Sequence, residues 1–290
     1  MPAIIIDGKA VAKRIREEIR QGAALLGEKG VVPCLAVVLA GDDPASLSYV
    51  TAKEKALAEA GMESCDHRLP ADVTEAELLG LIDGLNRDEK VHGILVQLPL
   101  PRHINEDRII TAIDPAKDVD GFHPVSVGNM VLGRPGFLPC TPHGILVLLK
   151  ELDVPLSGAH VVVVGRSNIV GKPMANLLVR REVNATVTIC HTGTNDLATH
   201  TLQADILIAA VGRPGLIGAE MVKPGAVVID VGVNRVPDPA KAYRLCGDVD
   251  FAEVEKKAGY ITPVPGGVGP MTIAMLLKNV LQSAGQSGGV

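Results

Sequence analysis

The stretch VVVVGRSNIVGKPMANLL, residues 161–178, decides how the second half of the chain folds. Four valines run into Gly165, and a helix is expected over 171–181. A strand feeding a glycine turn and then a helix directs backbone N–H groups and the positive helix end at one spot, which suits a diphosphate. The dinucleotide fingerprint asks for G-x-G-x-x-G, but Ser167 and Val170 stand at its second and third glycines. A single glycine also suits an ordinary β-α turn. The surroundings favour the dinucleotide, because further strands are expected at 185–190, 205–211 and 226–231.

The second strand of this unit bears on which dinucleotide is bound. NAD sites usually carry Asp or Glu there, bonding the ribose 2′-OH. The region reads TVTICHTGT (186–194) and holds no acid. Cys190, His191 and Thr192 offer donors instead, and Arg166 lies nearby as a cation. Such a setting accepts a 2′-phosphate, so NADP is expected.

The first half has the same style. CLAVVLAG (34–41), ESCDHRL (63–69) and VHGILVQL (91–98) read as strands. Helices are expected over 9–29 and from Asp43-Pro44, a cap and first-turn proline, to Gly61. Thr74 and Glu77 form a capping box that opens another. A β-α-β-α-β alternation implies an open parallel sheet, so the class is α/β. Residues 99–140 are rich in Pro, Gly and Asp and hold only short helices. A helix over 142–152 leads into the opening stretch, and MTIAMLLKNVLQSA (271–284) is a last apolar helix. SAGQSGGV (283–290) reads as a frayed tail.

Composition limits the function. The 290 residues are 47% hydrophobic and 21% charged, as in a soluble globular protein. A net charge of -5 without a basic cluster argues against a nucleic-acid partner. The five cysteines form no C-x-x-C pair and read as reduced thiols of a cytoplasmic protein. The N-terminal apolar run is too short for a signal peptide, and no segment reaches membrane-spanning length. The eight histidines fall in no ligand spacing, so no metal is expected.

Three features carry chemistry. Tyr49 and Lys53 are four apart on one helix and share a face. Lys53 has Tyr49, Val50, Ala56 and Leu57 at its helical neighbour positions and no carboxylate among them. Desolvation there favours a neutral amine able to transfer protons, although a lysine that snorkels to water fits the same spacing. Gln97 interrupts an apolar strand at its C-terminal end, where ligands bind in open α/β sheets. Asp118 and Asp120 share a loop, in which one can cap a turn while the other faces a ligand.

YVTAKEKALAEAG (49–61), GILVQLPLP (93–101), DPAKDVDGFHP (114–124), PCTPHGI (139–145), VVGRSNIVGKP (163–173), VIDVGVNR (228–235) and TPVPGGVGPMT (262–272) occur in this order. Together they closely resemble the bifunctional methylenetetrahydrofolate dehydrogenase/methenyltetrahydrofolate cyclohydrolase family, often called FolD, over residues 7–281. The resemblance implies a homodimer of two-domain chains with a folate site in the cleft between the domains. Residues 1–140 and 271–290 would form the catalytic domain, and 141–270 a Rossmann-type NADP-binding domain. It makes Lys53 the catalytic lysine, with Tyr49 beside it and Gln97 assisting, and Asp120 the pterin-binding aspartate. Val96, Leu98, Pro265, Gly266, Gly267, Val268, Gly269 and Thr272 would line the folate pocket. Thr141, Gly165, Arg166, Ser167, Thr192 and Val233 would hold the cofactor. Thr192 stands where the family commonly has serine and Val233 where it has isoleucine. Three rival readings are another NADP-dependent dehydrogenase, a dinucleotide sensor without turnover, and a member lacking cyclohydrolase activity.

Overall fold

The computed structural model describes residues 2–238 and 243–287. The chain opens with β1 (Ile4–Ile5), α1 (Gly8–Gly27), β2 (Cys34–Ala40), α2 (Pro44–Glu59), β3 (Glu63–Leu69), α3 (Glu75–Arg87) and β4 (Gly93–Val96). Three helices follow: α4 (Glu106–Ala112), α5 (Pro124–Leu132) and α6 (Cys140–Glu151). Then come β5 (His160–Val164), α7 (Gly171–Leu178), β6 (Thr186–Cys190), α8 (Leu197–Thr201), β7 (Ile206–Ala209) and β8 (Val227–Asp230). The last elements are β9 (Asn234–Val236), β10 (Arg244–Cys246), α9 (Phe251–Val254), β11 (Tyr260–Ile261) and α10 (Val268–Ser287).

Two compact units result. One contains the chain up to Ala12 together with Cys140–Thr272; the other contains Lys13–Pro139 and the chain from Ile273 onward. The first is built on a six-stranded parallel sheet ordered β1-β11-β8-β7-β5-β6. Val162, Leu207, Val228 and Ile261 lie in its core, as expected of β-branched strands covered on both faces. Residues 2–12 group here rather than with the residues that follow them. The reason is backbone pairing, since Ile4 and Ile5 register with Tyr260 and Ile261.

The second unit has a three-stranded parallel sheet ordered β3-β2-β4. Every residue of the central strand β2 is buried, whereas the edge strand β3 is largely half-exposed. Thr74 and Glu77 form the expected capping box at the start of α3. α10 runs to Ser287, so the frayed tail read from residue 283 is helical that far; residues 288–290 lie outside the described residues. Burial explains the difference. Ser283 is 3% exposed, and its hydroxyl donates to the carbonyls of His92 at 2.6 Å and Ala116 at 3.0 Å.

One turn of α10 earlier, the Asn279 amide donates to the carbonyls of Val119 at 2.8 Å and Leu138 at 3.1 Å. The turn it braces is held from the other side by Asp118, whose carboxylate accepts from the N–H groups of Phe122 at 3.2 Å and His123 at 2.9 Å. Asp118 is thus the turn-capping member of its loop. Burial pushes its carboxyl up from 3.8 to about 6; the Asp120 charge adds to this, while bonds from Ser126, His123 and Phe122 oppose it.

Asn279→Ala leaves two carbonyls without this donor and is expected to cost about 1–3 kcal/mol in chemical denaturation. Unchanged stability would contradict that reading. The raised carboxyl of Asp118 favours the folded state while protonated. This contribution is fully present below 3.8 and is lost as pH rises through about 6. Between about pH 4 and about pH 7 the native protein should therefore lose up to ~3 kcal/mol relative to Asp118→Asn. Parallel stability curves for the two proteins would show that Asp118 does not titrate in this way.

Candidate active site

Asp43 and Pro44 start α2 as its sequence indicates: the Asp43 carboxylate accepts from Ser46 N at 2.8 Å. Gly61, at φ +71°, ends the turn that follows. Along this helix the charged neighbours of Lys53 are engaged elsewhere. Glu54 pairs with Arg68 at 3.0 Å, and Lys55 lies 3.9 Å from Glu59. Lys53 is half-buried, and its ammonium donates to Oε1 of Gln97 at 3.0 Å.

Gln97 is the first residue after β4, at the C-terminal edge of the sheet. Its backbone N–H donates to Val38 O at 2.8 Å, and its side-chain Nε2 donates to Leu98 O at 2.8 Å. Both ends of the amide are therefore fixed, and the oxygen is presented to the lysine. A neutral acceptor holds an amine in place without adding a negative charge that would keep it protonated. Tyr49 is 40% exposed on the same face of α2. Val96 is buried, and Leu98 and Asp120 are half-buried. Gly121 is at φ +74°, and a Cβ there would lie 2.7 Å from Pro139 N, so only glycine completes the turn that carries Asp120.

In the other unit, Gly165 ends β5 at φ +133°, and a Cβ on it would overlap the carbonyl of Ala210. A Cβ on Gly171 would in turn overlap the carbonyl of Gly165. Gly171, one residue beyond the third fingerprint position, is thus what lets α7 start close to the strand. Gly171 falls outside the G-x-G-x-x-G pattern, although its spacing from Gly165 is legible in the sequence. Ser167 Oγ accepts from Val170 N at 3.1 Å and Gly171 N at 3.4 Å, closing the turn. Arg166, Ser167, Asn168 and Ile169 are exposed around it.

At the end of β6, His191 N donates to Thr194 Oγ1 at 2.9 Å and Gly193 N donates to His191 Nδ1 at 3.0 Å, leaving Thr192 exposed. The first acid beyond, Asp196, caps α8 by accepting from Thr199 N at 3.3 Å. A glycine cradle that a Cβ would fill, an exposed cation and a strand end without a carboxylate together fit a dinucleotide with a 2′-phosphate.

The same unit holds the remaining residues of interest. Val233 is 43% exposed in the loop after β8. The hydroxyls of Thr141 and Thr272 are 2.9 Å apart. Gly266, at φ +116°, accepts from Lys9 N at 3.1 Å, and a Cβ on Gly267 would lie 2.7 Å from Thr262 Cβ, so Pro265–Gly267 is a tightly packed approach to α10, whose first two residues are Val268 and Gly269. The folate residues named from the sequence are therefore divided: Tyr49, Lys53, Val96, Gln97, Leu98 and Asp120 in one unit, Pro265 to Gly269 and Thr272 in the other. Among the described residues, no group of three His, Cys, Asp or Glu side chains is arranged to hold a metal, and no helix is long and apolar enough to cross a membrane.

Two family models match the chain. Tetrahydrofolate dehydrogenase/cyclohydrolase, catalytic domain, covers residues 6–120, and the NAD(P)-binding domain of the same family covers 139–287. The bifunctional protein FolD of Syntrophus aciditrophicus is 58% identical over 294 residues, with all of both chains covered. The structure of the FolD dehydrogenase/cyclohydrolase of Campylobacter jejuni is similar at a TM-score of 0.94 and 51% identity, covering 98% of this chain and 99% of that one. The Trypanosoma brucei dehydrogenase-cyclohydrolase, complexed with NADP cofactor and inhibitor, gives 0.95 and 44%, covering 99% of each chain. With both models matched in order along nearly its whole length, the chain belongs to the tetrahydrofolate dehydrogenase/cyclohydrolase family.

Proposed function

We propose that Lys53, held by Gln97, is the proton-transfer residue of a bifunctional folate enzyme, and that Asp120 and Tyr49 bind its substrate. The enzyme oxidises 5,10-methylenetetrahydrofolate to the 5,10-methenyl compound with NADP and hydrolyses that product to 10-formyltetrahydrofolate. The observation that carries the assignment of Lys53 is its 3.0 Å hydrogen bond to Gln97 at the end of a parallel strand.

NADP supplies the hydride acceptor. Gly165, Arg166, Ser167 and Thr192 would hold its phosphates, with Thr141 and Val233 also in contact. The protein's part in the oxidation is orientation, because donor and acceptor carbons must sit at near-attack distance. Hydrolysis needs more from the side chains. A methenyl cation repels an ammonium, so its arrival favours the neutral form of Lys53. That amine takes the proton which water loses on adding to the bridging carbon. Cleavage of the bond from this carbon to N5 then opens the ring: N5 takes the proton from Lys53, and the hydroxyl on the bridging carbon loses its own to water as the formyl C=O forms. Gln97 keeps the amine in place throughout, and Tyr49 restrains it from the same helix face. Asp120, an acceptor, bonds the 2-amino and ring N–H donors of the pterin. Val96, Leu98, Pro265, Gly266, Gly267, Val268, Gly269 and Thr272 line the folate.

Within the same proposal the chain works as a cytoplasmic homodimer without nucleic acid. None of its five cysteines forms a disulfide, which suits a reducing compartment. The net charge of -5 disfavours a polyanion.

Mixing the protein with methylenetetrahydrofolate and NADP, and following both formation and decay of the methenyl compound, tests the function as a whole. Lys53→Met should slow methenyl hydrolysis by roughly 100- to 10,000-fold while folate still binds. A normal rate in the variant would remove the lysine from the mechanism. For the cofactor, the native protein should prefer NADP to NAD in kcat/KM, and Arg166→Ala should cut that preference by about 10-fold or more. Equal use of both by the native protein would overturn the 2′-phosphate assignment.

A further inference from the structure

The dinucleotide unit buries two carboxylates that the chemistry above does not use. Asp248 is fully buried and Asp230 is 3% exposed. Asp248 Oδ2 accepts from the N–H groups of Val211 at 2.7 Å and Gly212 at 2.9 Å, and Oδ1 from Arg213 N and Asn234 Nδ2, both at 2.9 Å. Asp230 supports it from β8. Its Oδ1 accepts from Gly232 N at 3.0 Å and from Asp248 N at 2.9 Å, and its Oδ2 from Val249 N at 3.0 Å. The packing is close. A Cβ on Gly232 would overlap the Asp248 carboxylate, and one on Gly247 would overlap that of Asp230. Burial pushes Asp230 up to about 6 although three N–H groups bond it, so the arrangement costs the fold something.

The donors show what this cost is for. Those of Asp248 are Val211, Gly212 and Arg213, on the loop that leaves β7, and Asn234, where the loop that leaves β8 runs into β9; both loops lie at the C-terminal edge of the sheet, where α/β folds bind ligands. Strand order gives the loops a side. β6 lies on one flank of β5, and β7 followed by β8 lies on the other. A dinucleotide with its diphosphate at the Gly165 turn and its 2′-phosphate at the end of β6 would extend its second nucleotide over β7 and β8. A trans peptide sets its C=O opposite its N–H. Drawing the N–H groups of Gly212 and Arg213 onto Asp248 therefore turns the carbonyls of Val211 and Gly212 away from it. Carbonyls so fixed suit a carboxamide, which presents an NH2 donor.

We propose that Asp248, braced by Asp230, is a positioning residue for the nicotinamide half of NADP: it sets the loops 211–213 and 231–234 so that their backbone receives the carboxamide. This rests on the reading of the unit as an NADP site, and the test separates the two. Binding of NADP and of 2′,5′-ADP, which has only the 2′-phosphorylated adenosine end, is measured by calorimetry on the native protein and on Asp248→Asn. The variant turns an amide N–H toward backbone donors. It should bind NADP about 10- to 100-fold more weakly and 2′,5′-ADP as the native protein does. Its KM for NADP in the dehydrogenase assay should rise in step.

Equal weakening of both ligands would mean that Asp248 merely supports the unit, and unchanged NADP binding would mean that it has no part; either overturns the proposal. A native protein that binds neither ligand would refute the NADP reading itself. Asn234→Ala removes one donor to Asp248 and leaves the carboxylate in place. It should show the same NADP-only loss, smaller in size, and it keeps the test decisive if Asp248→Asn does not fold. An equal loss of both ligands in Asn234→Ala, or none, would count against the proposal in the same way.

Discussion

In a parallel sheet every strand ends on the same edge, and each following helix begins there. That constraint does most of the arranging in this chain. In one unit it puts Gln97, the residue after β4, on the edge from which α2 departs, so that an amide on the strand side reaches an amine on the helix at 3.0 Å. In the other it gathers the Gly165 turn and the loops after β7 and β8 along one rim. The buried apolar strands provide the stability, and the chemistry is carried by the polar segments where those strands stop.

Polar groups buried near these segments follow a common pattern. Asp118, Asp230 and Asp248 each collect backbone N–H groups from a turn rather than pairing with a cation. Desolvation makes such carboxylates costly, as the upward shifts of Asp118 and Asp230 record. In exchange, turns that would otherwise sample many conformations take one. The Asp118 turn carries Asp120, and the Asp248 loops border Val233. A fold that needed only stability could fill the same volume with aliphatic side chains. Fixed backbone at a ligand-binding rim is what the carboxylates add.

Much of this was legible in the sequence, for physical reasons. Runs such as CLAVVLAG and VVVV announce strands buried on both faces, and Thr74 with Glu77 announces a helix start, because these signals are local. The Lys53–Gln97 pair was half-visible: a lysine with no carboxylate at helical spacing, and an amide interrupting an apolar strand. Other features depend on partners that sequence spacing does not reveal. β1 has two residues, too few to show a period, and joins a strand some 250 residues away. Gly171 lies one place beyond the third glycine of the fingerprint, and its close approach to the Gly165 carbonyl is a feature of the folded turn. Ser283 reads as tail composition, yet two backbone carbonyls distant in sequence receive its hydroxyl. Asp248 has no sequence pattern of its own; its donors come from residues 211–213 and 234.

The central claim is that Lys53 acts through the position Gln97 gives it. A double-mutant cycle on methenyl hydrolysis measures that dependence directly, using Gln97→Ala, Lys53→Met and the two combined. If the amide works by holding the amine, the combined variant should be no slower than Lys53→Met alone, since nothing is left to position. If the two losses instead multiply, Gln97 and Lys53 act independently, and the pairing seen at the end of β4 is not the basis of the chemistry.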